Sequence, residues 1–241
     1  MVSISLSEVG IRLRRRDVLR GVTWHLPETG KTLLAGQNGV GKTTTLRVLS
    51  GALSPADGAV LVDGRPIRRR QLRSVVALMP QTITAIPGLS VIDQVAFAGW
   101  LGGLRESAAR AQALAVLDQV DLVEEKDRNA SQLSGGQLRR VGLAEALTRP
   151  SDMLLLDEPT AGLDPVQRAR FRELVDTIDK PLVLSTHQLD DVDQTFSNVV
   201  VLSAGNLAFE GSTQEFLSHG AGDETSRRAE SAFVALTGAA S

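Results

Sequence analysis

The chain has 241 residues, of which 42% are hydrophobic and 22% are charged. This composition is ordinary for a soluble globular protein and excludes the disordered and fibrous classes. With 28 acidic and 26 basic residues, the formal net charge is −2, so the whole chain has no electrostatic attraction to nucleic acid or to anionic membranes. Cysteine is absent, which excludes disulfides, zinc–thiolate sites and thiol catalysis. Tyrosine is also absent, and only four of the basic residues are lysines.

We expect no targeting or membrane-spanning segment. Residues 1–9 alternate apolar and polar side chains and lack the apolar centre of a signal peptide. The most apolar long stretch, Ile83 to Leu104, contains Pro87, Asp93 and four glycines. It cannot supply the roughly 20 apolar residues of a membrane helix. If the protein works at a membrane, we expect another chain to span it.

In chain order, the first third consists of strands and tight turns around one helix. The predicted elements are strands at Val2–Val9, Val22–Leu26, Lys31–Ala35, Ala59–Val62 and Ser74–Met79, and a helix over Thr43–Leu53. Residues 90–149 are helical in pattern, with periodic segments at 90–102, 107–120 and 134–149. This all-helical block predicts an inserted subdomain.

Strands and helices alternate after Pro150. The predicted elements are strands at Met153–Leu156, Pro181–Ser185 and Asn198–Leu202, a helix from Asp164 to about Ile178, and an amphipathic tail helix at Arg227–Leu236. Apolar, β-branched strands alternating with helices predict an α/β fold with a mostly parallel sheet.

The segment Gly36 to Thr43 fits the pattern G-x-x-x-x-G-K-[ST] between a strand and a helix, which is the setting of a phosphate-binding loop. Glycines let backbone N–H groups surround phosphate oxygens, and the helix N-terminus adds a positive dipole. Lys42 would reach the β- and γ-phosphates, while the Thr43 hydroxyl can ligate Mg²⁺. The alternative is a chance match, which the flanking strand and helix disfavour.

A second candidate anion site lies about 90 residues further along the chain. Leu133 to Gln137 places Ser134 and two glycines at the start of a helix. An ordinary serine N-cap is the alternative. One compact monomer has little reason to carry two separate phosphate cradles.

Polar side chains follow several of the predicted parallel strands. Asp157 and Glu158 end one strand, where Asp157 can hold Mg²⁺ through water and Glu158 can face an attacking water. His187 closes the next strand, and Gln81 follows the strand that ends at Met79. Each alone is more often a structural residue. Because ligands bind at the carboxyl ends of strands in open α/β sheets, we expect them to share one edge.

Together these motifs resemble the nucleotide-binding subunit of an ATP-binding-cassette (ABC) transporter over nearly the whole chain. In order, they match the Walker A loop (Gly36–Thr43), the Q-loop (Gln81), the LSGGQ signature (Leu133–Gln137), the end of Walker B (Asp157–Glu158), the D-loop (Ala161–Asp164) and the H-loop (His187). The resemblance implies a P-loop NTPase core with an antiparallel N-terminal β subdomain and an inserted α-helical subdomain. It implies a single domain over 1–241, with its core at 1–85 and 151–220, the helical subdomain at about 86–150 and a helical tail at 221–241.

The resemblance also implies ATP and Mg²⁺ as cofactors. The catalytic residues would be Lys42, Glu158 and His187, and the metal would be held by Thr43, Gln81 and Asp157. The nucleotide would contact Gly36, Gln37, Asn38, Gly39, Val40, Gly41, Lys42, Thr43, Thr44, Gln81 and Asp164, with Ser134, Gly135, Gly136 and Gln137 reaching it from a second copy. The resemblance further implies that two copies would pair head to tail around ATP and that Glu158 would polarise the attacking water.

The implied partners are a second copy and a transmembrane permease on a separate chain, which would place the protein in the cytoplasm at the inner face of the cell membrane. The permease would dock on Thr82 to Leu104, where Phe97 and Trp100 either face it or pack in the subdomain core. The turn Trp100 to Leu104 is similar to exporting members, so we expect an exporter.

The chain departs from the family at the adenine site. The window Ile11 to Arg16, before Val18, has no aromatic residue on which adenine would stack. An arginine or Leu13 could cover the base instead, and selectivity between ATP and GTP would then be weak. A solvated strand face is the alternative explanation for the arginines.

Three other functions remain to be compared with transport. Arg68–Arg70 and Arg139–Arg140 could bind nucleic acid, but the net charge gives no broad basic face, and we expect no such partner. Soluble clamps of the same superfamily carry two cassettes or long coiled coils, which this chain lacks. A regulator without turnover would have no need of Glu158 and His187.

Overall fold

Two sheets organise the chain in a computed structural model that describes residues 2–13, 15–189 and 192–238. The strands are β1 (Ile4–Leu13), β2 (Arg16–Leu26), β3 (Lys31–Ala35), β4 (Asp57–Val62), β5 (Arg65–Pro66), β6 (Val76–Met79), β7 (Met153–Asp157), β8 (Leu182–Thr186), β9 (Asn198–Ser203) and β10 (Asn206–Ser212). The α-helices are α1 (Lys42–Leu49), α2 (Arg69–Val75), α3 (Val91–Leu101), α4 (Glu106–Gln119), α5 (Gly135–Thr148), α6 (Pro165–Asp176), α7 (Val192–Thr195), α8 (Thr213–Ser218) and α9 (Thr225–Thr237).

The larger sheet has the strand order β10-β9-β3-β8-β7-β6. Its strands from β9 to β6 are parallel, and β10 pairs antiparallel with β9. The three central strands β3, β7 and β8 are buried along almost their whole length, as expected for a parallel sheet covered by helices on both faces. The predicted α/β class with a mostly parallel sheet is confirmed.

The smaller sheet has the order β2-β1-β4-β5 and is antiparallel throughout. Alternate side chains of its strands are buried, including Ile4, Leu6 and Trp24. They pack with Leu46 and Leu49 of α1 in one cluster, which joins this sheet to the helix that follows β3. The antiparallel N-terminal sheet is therefore also confirmed.

Helices α3, α4 and α5 lie between β6 and β7, where the sequence predicts the inserted helical segment. They contribute Val95, Leu117 and Val141 to a core cluster shared with the large sheet. The boundaries at residues 85/86 and 150/151 stay predictions. The tail helix is α9, whose Ala229 and Ala232 are buried, while 239–241 lie outside the described residues.

Several predicted elements differ from the structure in their bounds. Strand β1 ends at Leu13 rather than Val9, and β2 begins at Arg16 rather than Val22. Helix α1 ends at Leu49 rather than Leu53, because Gly51 adopts a left-handed φ of 67° that continues no helix. The strand expected over Ser74–Met79 begins only at Val76, because α2 occupies the residues before it.

Arg69 of α2 is exposed to solvent and also binds backbone carbonyl groups. Its Nε donates to the carbonyl oxygen of Gly51 at 3.0 Å and its Nη2 to that of Ala52 at 2.8 Å. Arg69 therefore satisfies the backbone carbonyls that follow the last turn of α1. Within the described residues, no helix is both long and apolar enough to cross a membrane.

Candidate functional site

The candidate site lies where the parallel strands end. Pairing of β3 with β8 sets Ala35 beside Thr186, and pairing of β7 with β8 sets Asp157 beside Ser185. The loops that follow these strands leave from one edge of the sheet. That edge holds the glycine-rich loop, the two carboxylates and His187, as expected from the sequence.

The glycine-rich loop is shaped by close packing. Gly41 precedes α1 at a φ of 119°, and a Cβ there would lie 2.9 Å from a methyl carbon of Leu19. Lys42 begins the helix and is only 5% exposed. Its Nζ donates to the carbonyl oxygens of Gly36 at 2.6 Å and Gln37 at 3.2 Å. The loop thus encloses its own cation at a helix N-terminus, which is a setting that favours phosphate.

Glu158 connects the two sides of this site. One carboxylate oxygen lies 3.2 Å from Nζ of Lys42, and the other lies 2.9 Å from Nδ1 of His187. Its backbone has a φ of 46°, a left-handed conformation that is uncommon outside glycine. Two bonds from its N–H to Ser185, at 3.1 Å to the carbonyl oxygen and 3.0 Å to Oγ, hold that conformation. Such strain costs about 1–3 kcal/mol and persists where surrounding contacts fix it.

Asp157 and Thr43 form the candidate metal position. Oγ1 of Thr43 donates to Oδ1 of Asp157 at 3.0 Å, and Oγ of Ser185 donates to the same oxygen at 2.8 Å. Hydroxyl and carboxylate oxygens are the hard donors that Mg²⁺ prefers. No cluster of three or more His, Cys, Asp or Glu suited to a metal occurs among residues 2–13, 15–189 and 192–238. The donor set therefore fits Mg²⁺ shared with phosphate oxygens rather than a metal held by protein alone.

A cleft of about 480 Å³ joins these groups. It is lined by Val18, Asn38, Gly39, Gly41, Lys42, Thr43, Thr44, Gln81, Glu158, Ala161 and His187. The volume is within the range of small-molecule sites. Most of the phosphate-loop residues proposed from the sequence, together with Gln81 and His187, are thus brought together. Asp164 does not line this cleft and instead caps α6 by accepting the N–H of Gln167 at 2.9 Å.

The signature residues lie elsewhere. Ser134, Gly136 and Gln137 line a separate cavity of about 250 Å³ beside α6. Oγ of Ser134 accepts the N–H of Gln137 at 3.3 Å, and Oε1 of Gln137 accepts the N–H of Ser134 at 3.0 Å, which forms a capping box. Gly135 is exposed, and a Cβ on it would have no heavy atom within 4 Å. The start of α5 is therefore rigid but open on the side of Gly135.

The proposed adenine side contains no aromatic ring, and one of its arginines is occupied. Nε of Arg12 is 2.7 Å from Oδ1 of Asp17 across the β1–β2 turn. Leu13 ends β1 with 42% of its surface exposed, and Val18 lines the cleft. Arg14 lies outside the described residues. Of the residues proposed to cover the adenine base, Leu13 is apolar and exposed.

Phe97 and Trp100 do not pack in the core of the helical segment. They are 40% and 53% exposed, and their rings stack with centroids 5.7 Å apart. Leu101 beside them is 63% exposed. They form an apolar surface on α3, which we call the α3 aromatic face (Phe97, Trp100 and Leu101).

Ser185 and Arg139 are site residues that the sequence reasoning missed. Ser185 binds both Asp157 and the backbone of Glu158. The signal available in the sequence was its place two residues before His187 at a strand end. Arg139 donates to the backbone carbonyl of Ala161 at 3.1 Å and also to that of Gln81, so it touches two loops that line the cleft. No sequence motif distinguishes it.

The known proteins that this chain resembles fit this geometry. A family model described as ABC transporter matches residues 19–161, more than half of the chain. The phosphonates import ATP-binding protein PhnC of Thiobacillus denitrificans is 32% identical over 231 residues, covering 89% of each protein. The Nod factor export ATP-binding protein I of Cupriavidus metallidurans is 35% identical over 189 residues, covering 76% of this chain and 62% of that protein.

Solved structures give the same family. The structure of cbiO1 from Clostridium perfringens, described as part of the ABC transporter complex cbiONQ, superposes with a TM-score of 0.76 at 27% identity. The superposition covers 89% of this chain and 90% of that one. Sequence and fold therefore lead to one family.

Proposed function

The chain belongs to the ABC transporter family as an ATP-hydrolysing, ATP-binding subunit, and from this premise we propose how its residues act and what it assembles with. The observation that carries the proposal is the buried contact of Lys42 with Glu158, with His187 on the other carboxylate oxygen. A cation, a base and a histidine at one helix N-terminus are the groups that phosphoryl transfer to water requires.

Lys42 and the backbone of the glycine-rich loop bind the β- and γ-phosphates of ATP. Thr43 and Asp157 would hold Mg²⁺ through their oxygens, and the charge on the phosphates would be neutralised there. Glu158 accepts a proton from the attacking water, and His187 holds the Glu158 carboxylate and contacts the γ-phosphate. Phosphate competes with Glu158 for Lys42, so nucleotide binding frees the carboxylate for water.

The ATP site is completed by a second copy. The signature residues line a different cavity from the glycine-rich loop, and the first turn of α5 is open at Gly135. A helix N-terminus that is rigid and open suits a phosphate brought by another molecule. We infer a head-to-tail dimer with two-fold symmetry in which each ATP lies between the Walker A loop of one copy and the signature of the other.

The membrane partner docks on the α3 aromatic face. Its exposed rings are too apolar to be an ordinary surface, and α3 follows directly on the loop that begins at Gln81. A permease on a separate chain then places the protein at the cytoplasmic face of the membrane. Replacing both Phe97 and Trp100 with serine should abolish recovery of the chain with membranes that contain the permease. Leu114→Asn, at an exposed leucine of α4, is the matched control and should be recovered normally.

We propose export as the direction of transport. Support comes from the aromatic turn Trp100 to Leu104 and from the Nod factor export relative, although the phosphonates import relative is of similar identity. Cells that carry Glu158→Gln on the chromosome should accumulate more of the transported compound than wild-type cells. Lower accumulation would assign import.

Glu158→Gln tests the function itself, because the amide keeps the shape of the side chain but cannot take a proton. We expect steady ATP hydrolysis to fall by about a hundredfold or more while ATP binding is retained. The variant should also elute as a dimer in gel filtration with ATP and as a monomer without it. Hydrolysis near the wild-type rate would contradict the role of Glu158, and a monomer with ATP would contradict the sandwich.

A further inference from the structure

Arg139 joins three parts of the molecule at one guanidinium group. It lies on the second turn of α5, five residues after Ser134. Nη1 donates to the carbonyl oxygen of Gln81, and Nη2 donates to that of Ala161 at 3.1 Å. Gln81 and Ala161 both line the ATP cleft. Gln81 precedes α5 in the sequence, and Ala161 follows it. One side chain thus ties the signature helix to two loops of the cleft.

The charge of Arg139 is offset by backbone groups rather than by a carboxylate. Arg139 is half-buried, and burial lowers the pKa of its guanidinium from the usual range. Within the part of the chain that the structure describes, no carboxylate forms an ion pair with it. Charge-assisted bonds to carbonyl oxygens alone offset its desolvation. This half-buried guanidinium group binds the two backbone carbonyls at once and so links their loops.

The contact with Ala161 leads directly to the catalytic glutamate. The N–H of Ala161 donates to the carbonyl oxygen of Glu158 at 3.1 Å, so one turn of chain separates Arg139 from the residue with the strained φ of 46°. On the other side, Gly142 lies one turn after Arg139 and packs so closely on Ile83 that a Cβ there would clash. The loop after Gln81 therefore packs directly against α5.

We propose that Arg139 is a positioning residue that couples the signature end of α5 to Glu158 and Gln81 in the cleft of the same chain. When the start of α5 contacts a nucleotide bound to a second copy, α5 shifts. Arg139 transmits this shift to the backbone of Ala161 and Gln81. Occupation of one ATP site then sets the geometry of the other. This inference rests on the proposed sandwich dimer.

The experiment compares Arg139→Gln with a matched control on the same helix. Arg149, at the C-terminus of α5, is also half-buried and donates to a backbone carbonyl, that of Arg73 at 3.2 Å, but its contacts lie outside the cleft. Both variants are measured for affinity for a fluorescent ATP analogue and for hydrolysis rate against ATP concentration. Each is also combined with Glu158→Gln for gel filtration with ATP.

We expect Arg139→Gln to bind the ATP analogue within about twofold of wild type, to lose about tenfold in kcat, and to lower the Hill coefficient of hydrolysis towards 1. Arg149→Gln should keep the wild-type kcat and Hill coefficient. Arg139→Lys retains the charge on a single donor nitrogen, so its kcat should fall between those of Arg139→Gln and wild type. It replaces Arg139→Gln if that variant does not fold.

Two failures can be told apart. If Glu158→Gln alone stays monomeric with ATP, the sandwich is wrong and the coupling fails with it. If Glu158→Gln forms the dimer but Arg139→Gln matches Arg149→Gln in kcat and Hill coefficient, only the coupling is wrong. A loss of affinity or thermal stability that accounts for the whole loss of kcat would make Arg139 merely structural and would also overturn the proposal.

Discussion

The cleft around Lys42 and the start of α5 are the two proposed anion sites of the same chain, and they are built in opposite ways. In the cleft, each charged group is held by another part of the chain, as Lys42 is by Gly36 and Glu158. At the start of α5, Ser134 and Gln137 satisfy each other, and Gly135 has no neighbour for a side chain. The cleft is preorganised by the packing of the fold, whereas the helix start is preorganised by its own cap and needs a ligand from outside.

Lys42→Ala breaks the first site and should have the largest effect. It removes the cation for the phosphates and leaves the buried carboxylate of Glu158 with His187 alone. Losing such a charge contact costs about a hundredfold or more in turnover, and ATP affinity should fall with it. Isothermal titration and a phosphate-release assay measure the two quantities. Unchanged ATP affinity would contradict the role of Lys42.

Gly135→Asp breaks the second site without disturbing the first. A carboxylate in the first turn of α5 favours the helix dipole and meets no neighbour, so the melting temperature should be unchanged or slightly higher. The same charge repels a phosphate of the second copy, so hydrolysis should fall by at least about tenfold. Gly135→Asn is the neutral control and should lose less activity. Full activity of the aspartate variant would show that no phosphate approaches Gly135.

Leu13→Tyr tests the proposed base side, which has no ring, against the phosphate side, whose groups are fixed by contacts within the cleft. We expect wild type to bind ATP and GTP with similar affinity, because Leu13 offers apolar cover without hydrogen-bond selection. An added ring should tighten binding of both by up to about tenfold through stacking, as measured by competition with a fluorescent nucleotide. Leu13→Met is the control without a ring, and strong discrimination by wild type for ATP over GTP would contradict weak base recognition.

Glu145→Gln should have the smallest effect, and on stability rather than turnover. Burial raises the pKa of Glu145, although Gln94 Nε2 donates to it at 2.6 Å. Because the folded state then binds this proton more readily than the unfolded state, stability falls as pH rises above about 4.3, the usual pKa of glutamate.

The glutamine variant carries no such charge, so we expect its unfolding free energy to exceed that of wild type at pH 7, by less than about 2 kcal/mol, and to match it near pH 4. Urea unfolding between pH 4 and 7.5 measures this difference. Glu230→Gln, at an exposed position of α9, should show no change. An equal pH slope in wild type and Glu145→Gln would contradict the expected linkage.

The sequence was most informative about the cleft, because glycines, a lysine and carboxylates at strand ends have few other uses together. The structure adds the parallel pairing of β7 with β8, which sets Asp157 beside Ser185. The roles of Ser185 and Arg139 could not be predicted, since they depend on backbone carbonyls and side chains brought close only by the fold.

The missed fold elements are those with weak periodicity. Strand β10 lies at the sheet edge and is only partly buried, so its apolar alternation is faint. Ala204 and Gly205 both have positive φ in a two-residue turn, and only the glycine gave a signal. Helix α2 has seven residues, most of them arginine or polar, and Leu72 is its only buried residue. It therefore has no apolar stripe that the sequence pattern could reveal.

The central claim is that one ATP site needs the cleft of one copy and the signature of another, and a mixing experiment tests it most directly. Lys42→Ala disables the cleft and Gly135→Asp weakens the signature, so each variant alone should keep at most about a tenth of the wild-type rate. When the two are mixed in equal amounts, half of the dimers should contain one intact composite site, and hydrolysis should recover to about a quarter of the wild-type rate. A mixture no more active than its two variants although mixed dimers form would contradict the shared site.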